Sequence, residues 1–182
     1  PFAMRFEGIL TSAGWDVDGS DSQKARQLIE EELPQTFPQN LVAVFHSDDL
    51  TVEDSGFSDA VASALSRIEG DGSVAGVMSY FNTGDPRFVS DGGRTTYAVV
   101  GLNTSADDAP KVAPDLIDAL RRDVPEGFRV DVTGQAAMWA DFNRVNKESM
   151  LKGELLAWPA VMLVLVLAFG SLVAMGLPLL LA

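Results

Sequence analysis

Residues 155–182 read LLAWPAVMLVLVLAFGSLVAMGLPLLLA and contain no charged side chain. An apolar run of about 18 residues or more indicates a membrane-spanning segment. All charged residues of the chain precede this run. The sequence therefore predicts a polar domain joined directly to a membrane segment.

The apolar run is longer than a single spanning helix requires. As one helix its 28 residues would extend about 42 Å, whereas the hydrocarbon core of a bilayer is about 30 Å thick. Gly170 and Gly176 offer a break, and Pro178 suits the first turn of a new helix. We predict one helix to about residue 169, a turn over residues 170–175 and the start of a second helix. A single tilted or kinked helix is the alternative.

The ends of the sequence favour a piece of a longer protein. The chain starts with Pro1 instead of methionine and stops within the apolar run. No charged leader or cleavage site precedes the polar part. The length of 182 residues leaves room for one soluble domain with its own hydrophobic core.

The polar part is strongly acidic. The net charge of the chain is −13, and residues 1–134 hold 23 acidic and 10 basic residues. This balance argues against nucleic-acid binding, which needs clustered Lys and Arg, and against flat docking on anionic lipid. The chain has no cysteine, which excludes disulfides and thiol chemistry. We expect the charge to serve mainly solubility.

Four β-rich runs alternate with two helical patterns in residues 41–134. The β-rich runs are residues 41–46, 74–81, 95–102 and 128–132. Thr51 with Asp54 is a capping signal for the first helix, and Pro110 and Pro114 open the second. The resulting order βαββαβ predicts an α+β, ferredoxin-like split βαβ domain. Its two helices would cover one face of an antiparallel sheet, and the other face would find a partner or face water.

We divide the chain into four predicted parts. Residues 1–40 form a segment that follows an earlier membrane span, with a connecting helix that Ser20 and Gln23 would cap. Residues 41–134 form the ferredoxin-like domain. Residues 135–154 contain no proline and are predicted to be a helix leading into the membrane. Residues 155–182 form the transmembrane region.

Motifs of enzyme chemistry are nearly absent from the sequence. His46 is the only histidine, so this segment cannot build a His-paired metal site or a Ser-His-Asp triad. The pairs at residues 48–49 and 107–108 are two aspartates each, and they are interpreted as helix-start residues instead of metal ligands. Gly92-Gly93 favours a tight turn over an anion cradle. We therefore expect no enzyme activity, no cofactor and no metal site.

An apolar stripe lies on the helix that leads into the membrane. Met138, Phe142 and Val145 fall at i, i+4 and i+7, with Trp139 beside them. Such a stripe most simply serves core packing. It also stands where a lipid-like substrate would enter between a polar domain and a bilayer. The candidate residues for a substrate path are Met138, Trp139, Phe142 and Trp158.

Four motifs, taken in their order, resemble those of a known family. They are GWDVDGSDSQKARQLIEEELP at 14–34, SDGGRTTYAVVGL at 90–102, VTGQAAMWADF at 132–142 and GELLAWPAVMLVLVLAFGSLVAMGLPLLLA at 153–182. The chain resembles the MMPL (mycobacterial membrane protein large) family, a branch of the resistance–nodulation–division (RND) transporter superfamily. The resemblance covers nearly the whole sequence.

This resemblance implies a longer, multi-pass protein of the cell membrane with two extracytoplasmic porter-type domains. Residues 1 to about 150 would form the first of them, outside the cytoplasm, although the charges flanking the span leave the orientation open. Export of lipids, lipid-like molecules or drugs would be driven by proton entry through residues outside this segment. The implied partners are a lipid or amphiphilic substrate, membrane lipids, the remaining transmembrane helices and the second porter domain, without nucleic acid.

Two alternatives stay open. One is a relative in the same superfamily that moves protein or sterol. The other is a membrane-anchored binding or sensor domain without transport. Further hydrophobic spans with charged residues inside them would favour a transporter, whereas one or two spans with a signalling module would favour a sensor.

Overall fold

The computed structural model describes residues 19–32 and 37–169. The chain divides into two compact units, Pro1–Asp141 and Phe142–Ala182, and each is described by itself. The first unit is a mixed domain of helices and a four-stranded antiparallel sheet, as the sequence predicted. The predicted turn over residues 170–175 and the second helix near Pro178 lie outside the described residues.

The elements follow one another in the predicted order. The strands are β1 (Asn40–Ser47), β2 (Val74–Ser79), β3 (Thr95–Leu102) and β4 (Phe128–Thr133). The helices are α1 (Asp21–Glu32), α2 (Ser55–Ser66), α3 (Ala109–Arg121) and α4 (Gln135–Phe169). A one-turn helix (Tyr80–Thr83) and a 3-10 turn (Pro86–Phe88) stand between β2 and β3. These bounds fix the element order βαββαβ for residues 40–133.

The strands lie in the order β2-β3-β1-β4. Strand β1 is central and pairs antiparallel with β3 and with β4, placing Phe45 opposite Thr96 on one side and Val130 on the other. Strand β2 pairs antiparallel with β3 and contains an irregularity between Val74 and Gly76. Both β2 and β4 are therefore edge strands.

One face of this sheet forms the hydrophobic core with α2 and α3. Side chains alternate between the two faces of a strand, and burial in β1 alternates in the same way. The core-facing residues Leu41, Ala43 and Phe45 have no exposed surface. Helix α2 contributes Phe57, Val61, Ala64 and Leu65, and α3 contributes Ala109, Pro110, Ala113, Leu116 and Leu120. The apolar residues that follow helical spacing in the sequence are therefore the residues that these helices bury against the sheet.

The starts of the two core helices differ in detail from the sequence prediction. Asp54, and not Thr51, is the residue before α2, and its carboxylate accepts hydrogen bonds from the Thr51 N–H (2.8 Å) and hydroxyl (2.9 Å). The Asp54 carboxylate thus reaches back to the Thr51 N–H as the acid of a capping box does, but the helix begins only after Asp54. Pro110 lies in the first turn of α3 as predicted, whereas Pro114 lies inside the helix. There Pro114 removes one backbone N–H donor.

Strand β2 is shorter than the predicted run of residues 74–81. It ends at Ser79 because a reciprocal capping box between Ser79 and Asn82 starts the one-turn helix. The Asn82 side chain accepts from the Ser79 N–H (2.8 Å) and donates to the Val77 carbonyl (2.7 Å). The Asn82 amide thus satisfies two backbone groups of an edge strand.

Helix α4 extends without interruption over Gln135–Phe169 and includes Pro159. The helix therefore runs from the end of the sheet domain into the predicted apolar segment, up to the last described residue. Within the described part of the chain, this is the one helix long and apolar enough to cross a membrane, over Gln135–Leu167. Helix α1 starts after Ser20, whose carbonyl accepts from the Lys24 N–H (3.1 Å).

Candidate functional site

The first turn of α4 is held tightly against the sheet. Gly134 has a φ of +106°, and a Cβ atom there would lie 2.9 Å from the Asn40 carbonyl oxygen and 3.0 Å from the Leu41 Cα. Only glycine suits both the backbone angle and the close approach. Ala136 and Ala137 follow and are buried in the core. The small residues of the predicted motif at 132–142 therefore fix where α4 leaves the domain.

The candidate substrate-path residues Met138 and Trp139 belong to the first unit. Met138 is 59% exposed, whereas Trp139 is half-buried. The helical spacing of the stripe that begins at Met138 favoured core packing. In the described part of the first unit, Met138 is instead mainly exposed on the surface of the first turns of α4. A surface of this kind is available to a substrate or to another part of the protein.

The candidates Phe142 and Trp158 belong to the second unit, and both are about half exposed. They are 16 residues apart on one helix, which corresponds to about 24 Å along the axis and about 160° around it. Trp158 lines a shallow notch of about 220 Å³ with Glu154, Ala157, Val161, Met162 and Leu165. The helix thus does not bring Phe142 and Trp158 to one surface, and their role in a substrate path stays a prediction.

The second face of the sheet is not covered by a helix in the described structure. It consists of Val42, Val44 and His46 from β1 with the β3 residues Tyr97 and Val99, and all five are half-buried. We call these residues the open face. An apolar groove of about 410 Å³ lies along it, and its lining includes Val42, Val44, Phe88 and Tyr97. The open face is therefore apolar and only partly shielded.

Two aromatic side chains shield part of the open face. The Phe37 ring lies over Gly101 and Gly76, which have no side chain to displace it. Phe88 packs on Tyr97 with a ring-centroid distance of 4.7 Å, and the Thr96 hydroxyl donates to the Phe88 carbonyl (2.9 Å). The sequence indicated that this face would be left open by the helices, but it did not indicate these two rings.

An ion pair holds the 3-10 turn that presents Phe88. The Arg87 Nε donates to the Asp85 carboxylate at 2.8 Å, and the Arg87 backbone N–H donates to it at 2.9 Å. Both hydrogen bonds lower the pKa of Asp85, and the side-chain bond together with the charge of Asp85 raises the pKa of Arg87. Because the Arg87 side chain is exposed and Asp85 is only half-buried, the pair orders the turn without stabilising the domain strongly.

His46 lies at the end of the open face and contacts neighbouring side chains. Its position at the end of an apolar strand had favoured a structural or surface role. Its Nδ1 lies 2.8 Å from the Thr95 hydroxyl, and its Nε2 lies 3.5 Å from the Asp48 carboxylate. Asp48 also lies near Arg94, which donates to the Asp48 carbonyl (2.7 Å). Among the described residues no group of three or more His, Cys, Asp or Glu side chains converges to hold a metal ion.

Comparison with known proteins gives one clear result. The family model described as "MMPL family" matches residues 15–182, which is nearly the whole chain. No curated protein matches this sequence. The family match spans the acidic domain, α4 and the apolar segment together, so it agrees with the resemblance drawn from the four motifs. The chain belongs to the MMPL family, and this membership suggests a membrane transporter of the RND superfamily.

Proposed function

We propose that this chain is the first extracytoplasmic porter-type domain and the following transmembrane helix of a proton-driven exporter. Its cargo is a lipid, a lipid-like molecule or an amphiphilic drug. The observation that supports this proposal most is the family match over residues 15–182. Transport, and not catalysis, is the activity that this family membership suggests.

The topology of the domain supports a ferredoxin-like porter unit. Strands β1 and β2 are both antiparallel to β3, so they are parallel to each other, and α2 connects them across β3. Strands β3 and β4 are related in the same way across β1, with α3 as the connection. Each βαβ unit is therefore split by a strand of the other, which is the arrangement expected of this fold.

The cell membrane is the proposed location. Helix α4 is apolar over its second half and exposed there, which suits contact with lipid or with further transmembrane helices. We place residues 1 to about 150 outside the cytoplasm in a multi-pass protein. The proposed partners are membrane lipids, the cargo, the remaining transmembrane helices and a second porter domain.

Reconstitution of the full-length protein tests the proposal. Proteoliposomes containing a fluorescent phospholipid would be given a pH gradient that is acidic on the side of the porter domain. We expect the phospholipid to become accessible to dithionite on that side faster than in protein-free vesicles. Collapse of the gradient with a protonophore should remove the difference. Movement at the same rate without a gradient would contradict proton coupling, and no movement of lipid or amphiphile would contradict the transport proposal.

The continuity of α4 suggests that it couples the domain to the membrane segment. A Gly-Gly-Gly insertion after Lys147 introduces three poor helix formers into an otherwise unbroken stretch. We expect this insertion to abolish export while membrane insertion and protein level stay normal. The same three glycines inserted after Gly70, in an exposed turn, form the matched control. Full export with the insertion after Lys147 would show that α4 is only a tether.

The substrate-path role of the stripe has its own test. Phe142→Ala removes a half-exposed aromatic side chain from α4, whereas Arg144→Ala removes a charged side chain that pairs with Glu148 at 3.6 Å. We expect export to fall several-fold with the first substitution and little with the second. Equal effects of the two substitutions would remove Phe142 from the proposed path.

A further inference from the structure

A cavity is formed by the residues that precede β1 and the loop that follows β3. Its volume is about 450 Å³, within the range of about 300–1,000 Å³ that is typical of ligand sites. Its described lining consists of Pro38 and Gln39, before β1, and of residues 102–106, at the end of β3 and in the loop after it. The Leu102 N–H donates to the Gln39 carbonyl (2.9 Å). This bond positions the two parts of the lining before any ligand arrives.

Gln39 is a buried polar residue whose side-chain amide is not used by the domain. Its exposed fraction is 8%, and the side chain forms no hydrogen bond with any residue that the structure describes. Most buried polar side chains have a partner, so each exception calls for an explanation, such as a ligand or an ordered water. The amide offers one acceptor oxygen and two N–H donors. A molecule in the cavity can therefore bind it through several hydrogen bonds.

Thr104 adds a second unsatisfied polar group to the same lining. Its hydroxyl oxygen is sealed from solvent and, among the described side chains, is the one sealed polar atom without a hydrogen-bond partner. The Gln39 amide is not sealed in this way, so it remains accessible to a molecule in the cavity. Thr104 as a whole is half-buried and lines the cavity. Because a threonine side chain has more than one staggered rotamer, rotation about the Cα–Cβ bond can turn the hydroxyl towards a ligand.

The cavity suits an uncharged ligand. None of the described residues in its lining carries a charge. Asp108 follows the loop, but its carboxylate accepts a hydrogen bond from the Ser105 hydroxyl (2.9 Å) and pairs with Lys111 at 2.8 Å. A charged ligand would therefore meet no free opposite charge in the described lining.

A sugar matches the chemistry of this lining. An amide and a hydroxyl group can each donate and accept hydrogen bonds, and so can every hydroxyl group of a sugar. Pro38, Leu102 and Ala106 add apolar surface that the C–H groups of a sugar ring can contact. A purely apolar ligand would instead leave the Gln39 amide and the Thr104 hydroxyl without partners, which disfavours its binding.

We propose that this cavity is a binding site for a small, water-soluble sugar. The Gln39 amide binds hydroxyl groups of the sugar, the Thr104 hydroxyl turns to meet it, and the apolar residues contact its C–H groups. The site lies within the first unit and does not depend on the proposed export of lipids or amphiphiles. A glycolipid headgroup has the same chemistry, and an alkyl chain attached to the sugar distinguishes the two sources.

Ligand-observed NMR of the full-length protein in phosphatidylcholine nanodiscs tests this site, because neither the lipid nor the buffer then supplies a sugar. The probes are the methyl α-glycosides of glucose, mannose and galactose. Saturation-transfer titration should show saturable binding of at least one probe, with a dissociation constant on the order of 1 mM, since a few neutral hydrogen bonds contribute modestly. The butyl glycoside of the same sugar should bind with the same affinity. Clearly tighter binding of the butyl form would indicate a lipid headgroup, since buried CH₂ groups add affinity, and would overturn a separate sugar site.

Substitution of Gln39 tests the group that carries the site. Gln39→Met keeps the length of the side chain and removes the amide, so it should weaken sugar binding about five- to tenfold. Gln135→Met is the matched control, since Gln135 is exposed and lies outside the described lining, and it should bind the sugar as the unmodified protein does. The proposal is overturned if no probe shows saturable binding or if Gln39→Met binds as tightly as the unmodified protein.

Substitution of Thr104 separates a sugar site from a site for ordered water only. Thr104→Val keeps the shape and removes the hydroxyl, so sugar binding should weaken several-fold while the thermal unfolding temperature stays the same or rises, because the lost group has no partner. Thr133→Val, at an exposed position outside the described lining, should not change sugar binding. If an ordered water satisfies the Thr104 hydroxyl, Thr104→Val should lower the unfolding temperature and leave sugar binding unchanged, which would contradict the role of Thr104.

Discussion

The two faces of the sheet are built from similar residues but have different surroundings. In β1, the core-facing residues Leu41, Ala43 and Phe45 alternate with Val42 and Val44 on the open face. The first three are fully buried under α2 and α3, whereas the two valines are half-buried. Apolar character alone therefore does not decide which face becomes the core. The core forms on the face that the apolar sides of α2 and α3 cover, and they cover only one face.

Connection handedness explains why both helices lie on the same side. Crossover connections between parallel strands are almost always right-handed. The connection from β1 to β2 and the connection from β3 to β4 run in opposite directions across the sheet, and their strands also point in opposite directions. When the crossover direction and the strand direction are both reversed, a right-handed connection again places its helix on the same face of the sheet. Helices α2 and α3 therefore share one face. The open face is thus a consequence of topology and stays available for contacts.

The largest expected difference between the two faces is in the unfolding free energy that is lost when neighbouring residues of β1 are truncated. Phe45→Ala leaves a cavity beneath both helices and should cost about 3–5 kcal/mol of unfolding free energy. Val44→Ala removes two half-buried methyl groups from the open face and should cost about 1 kcal/mol. Hydrogen exchange of the β1 amides in the full-length protein measures both losses. Equal losses would mean that the open face is as tightly packed as the core.

The contact between Phe37 and the open face can be tested at a glycine. A methyl group at Gly101 would overlap the Phe37 ring, so Gly101→Ala should cost about 1–3 kcal/mol. In the Phe37→Ala background the same substitution should cost clearly less, because the obstructing ring is gone. Gly76→Ala is the control, since its Cβ would lie 3.4 Å from Phe37. Additive effects of Phe37→Ala and Gly101→Ala in the double variant would argue against this packing.

A smaller effect is expected at the edge of β2. Asn82→Ala removes the side chain that bonds to Val77 and Ser79, and each lost hydrogen bond should cost about 0.5–1.5 kcal/mol. The exposed strand edge should also promote self-association, which light scattering of the purified protein at increasing concentration detects. Asn103→Ala, at an exposed loop position, should show neither effect. If Asn82→Ala stays monomeric at high concentration, the Asn82 side chain does not protect this edge from pairing.

The smallest expected effect is on the pH dependence of stability, through the aspartates that precede α2 and α3. Hydrogen bonds from Thr51 hold the pKa of Asp54 below its ordinary value of 3.8, and a hydrogen bond from Lys111 lowers the pKa of Asp108. A depressed folded-state pKa stabilises the folded form above the ordinary value, and this contribution disappears as the pH falls through the folded pKa. Asp54→Asn should therefore lower stability slightly at neutral pH and flatten the loss below about pH 4. A thermal melt series across pH 2.5–7 measures the change, and an unchanged profile would contradict the role of Asp54.

Several structural features of the chain follow from local patterns in the sequence. The spacing of Phe57, Val61 and Leu65 predicts an amphipathic helix, and the alternation of Val130 with Arg129 and Asp131 predicts a strand with one buried face. Both patterns are confirmed. The family motifs are local as well, and the family that they indicated is confirmed by the family match. The predicted end of β2 and the predicted capping position at Thr51 were wrong, because both depend on side-chain hydrogen bonds that spacing does not specify.

The sequence by itself determined the acidic domain, the apolar segment, the order of the elements and the family, since these depend on composition, periodicity and motifs. Only the tertiary structure decided that Phe37 and Phe88 shield the open face. These features join residues far apart in the chain. Their proximity is set by strand order and connection handedness, which act on the whole domain and leave no local pattern in the sequence.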